Sequence, residues 1–248
     1  MTSIENRLLR QLGEAAAHRK VDDVRIGLGY TAVQLDNGGT GLAWTPPREG
    51  TGCTHIHRQE PLTGSQAAKL LDFLGEKDPL YRALGLATVN ALLADHAHPT
   101  CTTDALDLLD IRSSDRVTMV GFFGPLIPRI RQTGCRLDII ERNRDYQQTI
   151  APADGDEALA YCDIAIVTAT SLINGTLNRV LDALGKPRKA VLLGPSAPLC
   201  AEAFKETVFT QISGSRVINA AATLQTVSEG GGTPQLKAHV AFETIMIN

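Results

Sequence analysis

Arg116-Val-Thr-Met-Val-Gly-Phe-Phe-Gly-Pro125 is the stretch that decides the fold. An apolar run ends in a glycine turn, and twenty positions beyond Gly121 a second apolar run, Arg136-Leu-Asp-Ile-Ile-Glu141, ends in an acid. Strand, glycine turn, helix and acid-tipped strand form the unit with which doubly wound α/β proteins cradle nucleotide-like ligands. The acid accepts hydrogen bonds from a ribose diol, and the helix N-terminus offers unpaired N–H groups. The fingerprint is incomplete. Gly-x-Gly-x-x-Gly needs three glycines, whereas this turn has Gly121 and Gly124, with Phe122 and Phe123 where a pyrophosphate needs bare backbone.

Beyond this unit, strands are expected at about 116–121, 136–141, 162–169, 189–194 and 207–212. Helices are expected near 104–110, 125–133, 174–184, 198–205 and 219–229. Four of the five strands are continuous apolar runs, the pattern of a parallel sheet covered on both faces. Upstream the period is different. Residues 4–17 place Ile4, Leu8, Leu9 and Leu12 on one helical face. Val24–Tyr30 alternates like a half-buried strand, Asp36-Asn-Gly-Gly39 is a hairpin turn, and Thr40–Trp44 is the return strand. Thr63-Gly-Ser-Gln66 has capping-box spacing ahead of Ala67, Leu70, Leu71 and Leu74. Asp78-Pro79 opens a further helix whose face is Leu80, Leu84, Ala87 and Ala91. The segment Asp95–Thr100 breaks the pattern, so the expected division is an α+β domain over 1–100 and a Rossmann-like domain over 101–248.

Composition narrows the function. A net charge of −3 and 4% aromatic residues give no basis for a nucleic-acid partner or an anionic membrane surface. No apolar stretch reaches the roughly 18 residues of a membrane span. The N-terminus shows no signal-peptide pattern. Five dispersed cysteines read as reduced thiols, which points to the cytoplasm. A homodimer is expected because small oligomers are most often twofold.

In open α/β sheets ligands bind beyond the carboxyl ends of the strands. The residues after each apolar run are therefore the candidates: Gly121, Phe122, Phe123 and Gly124; then Glu141; then Thr170, Ser171, Asn174 and Thr176; then Gly194, Pro195 and Ser196. All are small, hydroxylic, glycine-bearing or acidic, apart from the two phenylalanines. Together they are expected to form one crevice. Ser171 and Asn174 serve equally well as helix caps. Asn90 lies at the edge of an apolar helical stripe, either as a link to the hairpin or facing an interdomain cleft. Arg129, Arg131, Arg136, Arg142 and Arg144 form a basic cluster suited to a solvated face or an anionic ligand. Glu229-Gly-Gly-Gly232 reads as either a lid or a helix C-cap, with the C-cap preferred. Cys53, His55 and His57, with His96, His98 and Cys101, carry the ligand types of a transition-metal site but not the spacing of a recurring metal module. Gly-x-Ser-x-Gly, the P-loop and His-Glu-x-x-His are absent, and no motif names a cofactor.

Gly121–Pro125, Glu141, Thr168-Ala-Thr-Ser-Leu-Ile-Asn-Gly-Thr176 and Leu193-Gly-Pro-Ser196 resemble an uncharacterised prokaryotic family known as "putative heavy-metal chelation". So do Ile26–Thr31, Gly41–Thr45 and Gly85–Asn90 in the first half. The resemblance implies an enolase-N-terminal-like first domain, a methyltransferase-like second domain and a role in binding metal-chelating, anthranilate-like small molecules. The function expected is therefore binding of a small polar or metal-chelating ligand at the strand ends and the domain interface. The alternatives are a methyltransferase-like or nucleotide-dependent enzyme using Glu141 for a ribose, and direct metal binding through the Cys/His segments.

Overall fold

The computed structural model describes residues 2–47, 56, 60–95, 100–143 and 145–247. The chain opens with α1 (Ile4–Ala17), capped by the Ser3 hydroxyl, which accepts from the Asn6 N–H at 3.3 Å. Then come β1 (Val21–Ile26), β2 (Tyr30–Leu35) and β3 (Thr40–Trp44), an antiparallel sheet in that order. The single strand expected over 24–30 is instead the end of β1 and a Gly27-Leu28-Gly29 turn. Both glycines are required there: a Cβ at Gly27 would lie 2.0 Å from the Val227 carbonyl oxygen, and one at Gly29 2.9 Å from that of Gly231.

α2 (Ala67–Leu71) runs into a 3-10 turn over Asp72–Gly75, and α3 (Pro79–Leu93) follows. The Asp78 side chain caps α3 by accepting from the Leu80 N–H at 2.8 Å, as its sequence predicts. The expected capping box ahead of α2 does not form, because Gln66 occupies the cap position without a side-chain bond. α3 is buried on every side from Arg82 to Leu93, not along one stripe. It crosses β3 at Gly41, where a Cβ would stand 2.1 Å from the Ala87 carbonyl oxygen. Small residues bring backbone against backbone here.

The second half contains α4 (Ala105–Leu109), β4 (Arg116–Val120), α5 (Ile127–Gln132), β5 (Arg136–Ile140), α6 (Asp156–Ala160), β6 (Ile164–Thr168), α7 (Thr170–Ile173), α8 (Leu177–Ala183), β7 (Lys189–Leu193), α9 (Ala201–Phe204), β8 (Gln211–Val217), α10 (Ala220–Ser228), α11 (Thr233–Leu236) and β9 (Val240–Met246). The sheet order is β5-β4-β6-β7-β8-β9, parallel except for β9. Its two faces divide the apolar runs. Val117, Met119, Ile164, Ile166 and Val191 pack under α4 and α5, while Ala165, Val167, Ala190 and Leu192 face the opposite core. β8 lies later than expected because antiparallel β9 pairs with it as far as Val217, beyond the end of β7. The helix expected over 174–184 begins only at Leu177, because Gly175 at φ +68°, a left-handed conformation suited to glycine, separates it from the short α7. Glu229 does cap α10, with Gly230 at φ +76°.

One apolar cluster runs from α1, α2 and α3 through β6, β7, α8 and α9. The two halves therefore share a core. Asn90 pins them together, donating to the Leu42 carbonyl at 2.7 Å and the Ser196 carbonyl at 3.1 Å. The Ser196 hydroxyl in turn accepts from the Trp44 N–H at 2.8 Å. Behind α3, the buried Glu5 carboxylate meets Arg82 and accepts from the Asn178 amide at 2.9 Å.

Two outcomes follow from this packing. Removing the Asn90 amide strands two buried carbonyls, so Asn90→Ala is expected to cost about 2 kcal/mol in urea unfolding. Burial alone would raise the Glu5 pKa, but hydrogen bonds from Asn178, its own backbone N–H and Arg82, with the guanidinium charge, bring it below the ordinary 4.5. A depressed carboxylate stabilises above its unfolded pKa, and that stabilisation is lost as pH falls through the folded value. The acid limb of a stability–pH curve should therefore be shallower in Glu5→Gln than in wild type.

Candidate functional site

The order β5-β4-β6-β7-β8 means the chain steps from β4 to one side and then returns across it to β6. Adjacent connections leave β4 and β6 in opposite directions, and the gap between them is where such folds bind ligands. A cavity of about 120 Å³ lies at this point. Val120 and Gly121 contribute from the end of β4, and Ile140, Glu141 and Arg142 from the end of β5. Pro152, Asp156 and Leu159 come from the approach to α6 and from α6 itself. Thr168, Thr170, Ser171 and Asn174 come from the β6 exit, and Thr176, Arg179 and Val180 from the start of α8.

The walls have two characters. Val120, Ile140, Leu159 and Val180 give an apolar lining, while carboxylate, guanidinium, hydroxyl and amide groups ring it. Glu141 turns one oxygen into its own loop, with Oε1 accepting from the Arg142 N–H at 2.7 Å and the Asn143 N–H at 2.9 Å. Among the described residues Oε2 has no hydrogen-bond partner. Arg179 donates through one terminal nitrogen to the Pro152 carbonyl at 3.2 Å and to Asp156 at 3.1 Å, joining α8 to α6 across the cavity. The Thr168 and Thr170 hydroxyls are 3.0 Å apart, and the buried Ser171 hydroxyl donates to the Thr168 carbonyl at 2.6 Å. Ser171 is thus tied to the turn behind it and is no N-cap, whereas Asn174 is the C-cap of α7.

Of the residues expected from the sequence, Gly121, Glu141, Thr170, Ser171, Asn174 and Thr176 come together here. Phe122, Phe123 and Gly124 do not line the cavity. Phe122 stacks on Tyr146 with ring centroids 4.0 Å apart and planes 8° from parallel, and both phenylalanines pack against the α4–α5 side of the sheet. Gly194, Pro195 and Ser196 do not line it either. The hairpin and Asn90 cover the β7 exit, so the crevice expected to span four strand ends and the domain interface is built from residues 120–180 alone. The arginine cluster also disperses: Arg142 reaches the cavity, Arg129 pairs with Asp104 at 2.8 Å, Arg136 with Asp138 at 3.2 Å, and Arg131 donates to Gln148 at 2.9 Å. Arg144, Cys53, His55, His57, His96 and His98 lie outside the described residues. Among the described residues no three His, Cys, Asp or Glu side chains converge as a metal site, and no helix is long and apolar enough to cross a membrane.

Arg179, Asp156 and Thr168 were not anticipated as site residues. Arg179 lies three residues past Thr176, so the first turn of the helix after Gly175 carries it back to the same strand end. Asp156 had no comparable signal, because the short α6 was not expected.

Two family profiles match the chain, over residues 9–93 and 104–246, and both carry the description "Putative heavy-metal chelation". An uncharacterized protein of Methanocaldococcus jannaschii is 26% identical over 226 residues, covering 87% of this chain and 86% of that one. Two crystal structures share the fold. A protein of unknown function from the DUF364 family in Pyrococcus horikoshii superposes with TM-score 0.87 at 24% identity, covering 99% of this chain and 100% of its own. Another from Desulfitobacterium hafniense gives 0.83 at 22%, covering 98% and 97%.

Gly121 and Gly124 separate backbone need from chance. Gly121 has φ +91°, and a Cβ there would lie 2.9 Å from the Thr168 side chain. Gly121→Ala should therefore cost about 2 kcal/mol or more in thermal unfolding. Gly124 would meet only the Phe122 ring, at 3.5 Å, and Gly124→Ala should stay within about 0.5 kcal/mol of wild type.

Proposed function

Because the chain belongs to the family described as "Putative heavy-metal chelation", we propose that its cavity binds a small organic ligand able to carry a metal ion, and not the bare ion. The observation that carries this reading is the distribution of polar groups around an apolar cavity. The Glu141 acceptor lies on the β5 side of the β4 exit. The donors Asn174, Thr176 and Arg179 lie on the β6 side. A compact molecule with an apolar body, a hydroxyl or amine at one end and a carboxylate at the other satisfies both sides. Such a molecule also presents the donor set of a chelator. A metal ion would then arrive with its own ligands, since among the described residues Glu141 and Asp156 are the only carboxylates lining the cavity.

A nucleoside is the second reading, and one observation favours it. Glu141 follows β5, the strand beside β4, where doubly wound folds keep the acid for a ribose. Phe122 and Phe123 are committed to packing in the turn that would receive phosphate, which weighs against a nucleotide or dinucleotide and leaves the phosphate-free nucleoside as the form to test.

Thermal-shift measurements with anthranilate and salicylate, each with and without Fe(III), with Fe(III) alone, and with S-adenosylmethionine separate these readings. A chelate at a hundredfold excess over its Kd should stabilise the protein by about 2.7 kcal/mol. Arg179→Ala and Glu141→Ala should lose that shift while melting within about 1 kcal/mol of wild type without ligand, because the Arg179–Asp156 pair is exposed and the Glu141 bonds are to exposed backbone N–H groups of its own loop. A shift with S-adenosylmethionine alone, lost in Glu141→Ala, would support the nucleoside. A shift with Fe(III) alone equal to that with the chelate would move binding to protein ligands such as Cys53, His55 and His57.

A further inference from the structure

The buried pair Glu5–Arg82 is used by neither the cavity nor any surface contact. Both side chains are almost fully buried, at 7% and 10% exposure. Isolated buried charges are costly, and an apolar pair of similar volume often serves stability as well or better. What distinguishes this pair is where its hydrogen bonds go. Arg82 Nε donates to the Leu172 carbonyl at 2.8 Å, one terminal nitrogen donates to the same carbonyl and to Glu5, and the other reaches the Glu76 carbonyl at 3.3 Å. Leu172 belongs to α7, a single turn whose final carbonyls need outside donors. Gly175, at φ +68°, sits against the guanidinium: a Cβ there would be 3.8 Å from its central carbon. The second Glu5 oxygen takes the Asn178 amide at 2.9 Å, and the Asn178 carbonyl oxygen accepts from the Ile4 N–H at 3.4 Å.

Both ends of the connection from α7 to α8 are thus held from behind by α1 and α3. Of the cavity residues, Thr170 and Ser171 belong to α7, and Asn174 and Thr176 lie on the connection that follows it. We propose that Arg82, oriented by Glu5, is a positioning residue for the cavity: it fixes the α7–α8 turn so that Asn174, Thr176 and Arg179 face the ligand. This rests on the cavity being the binding site, and it gives the first half of the chain a part in recognition although none of its described residues lines the cavity.

Hydrogen–deuterium exchange tests the proposal without any ligand. The amides of Asn174 and Thr176 are bonded to the Thr170 and Ser171 carbonyls, both at 2.9 Å, and report on the turn. In the double variant Arg82→Met/Glu5→Gln, which leaves no unpaired buried charge, these amides should exchange about tenfold faster than in wild type, the effect of losing one charge-assisted hydrogen bond. Asn90→Ala is the control, removing an equally buried link between the halves about two turns further along α3. It should leave those amides unchanged. Should the double variant fail to fold, Arg82→Lys keeps the charge but cannot hold Glu5 and Leu172 together in a fork, and it should give a smaller acceleration in the same amides. Titration with anthranilate–Fe(III) should weaken about tenfold in the double variant and hold in Asn90→Ala. Unchanged exchange on loss of Arg82, or equal acceleration in Asn90→Ala, would overturn the proposal. Wild-type protein that takes none of the probes would count against the binding reading and leave the exchange result intact.

Discussion

Parallel strands whose side chains are apolar on both faces must be covered on both faces, and this one requirement organises the molecule. β4, β6 and β7 bury every residue along their centres. Helices can cover both sides only if the chain winds outward from β4 in two directions. The reversal parts the connections above β4 and β6, and nothing from the sheet closes the gap. The cavity is thus a consequence of the winding. Its chemistry comes from what the chain places around the gap: Gly121 in a left-handed turn, Glu141 at the tip of β5, and a short broken helix after β6.

The first half is no appendage to this arrangement. α3 is apolar and buried all round because it lies between the three-stranded sheet and the second half. Of its three buried polar residues, Thr88 bonds back to the Leu84 carbonyl of its own helix, while Arg82 and Asn90 reach out to the second half. Asn90 closes the β7 exit by binding the Ser196 carbonyl, and Arg82 holds the β6–α8 connection. One exit is sealed while the neighbouring one is braced and left open. That difference explains why the cavity is confined to the β4–β6 gap instead of spreading along the whole edge of the sheet.

Much of the second half was legible in the sequence because burial on two faces leaves an unmistakable apolar run. β4, β5, β6 and β7 fall within a residue or two of expectation for that reason. β9 was missed: Val240-Ala-Phe-Glu-Thr-Ile-Met246 is an edge strand with an irregular pattern, and its pairing with β8 has no local signal. In the first half Gly27 and Gly29 read as part of a strand, since their close approach to Val227 and Gly231 depends on residues 200 positions away. The candidate site was legible where it follows strand ends, at Gly121, Glu141 and Thr170 to Thr176. It was illegible where helices fold back over it, as with Asp156, and where tertiary packing seals an exit, as with Gly194 to Ser196. No local rule distinguishes a strand end that stays open from one covered by a distant hairpin.

The β4–β6 gap is proposed as the binding site for a small organic ligand. Native mass spectrometry of untagged protein, compared with Arg179→Ala and Glu141→Ala, tests it most directly. A non-covalent small-molecule adduct is expected on the wild-type chain, and both substitutions should remove it. An adduct retained in full by both variants, or one consisting of metal ions alone, would contradict it.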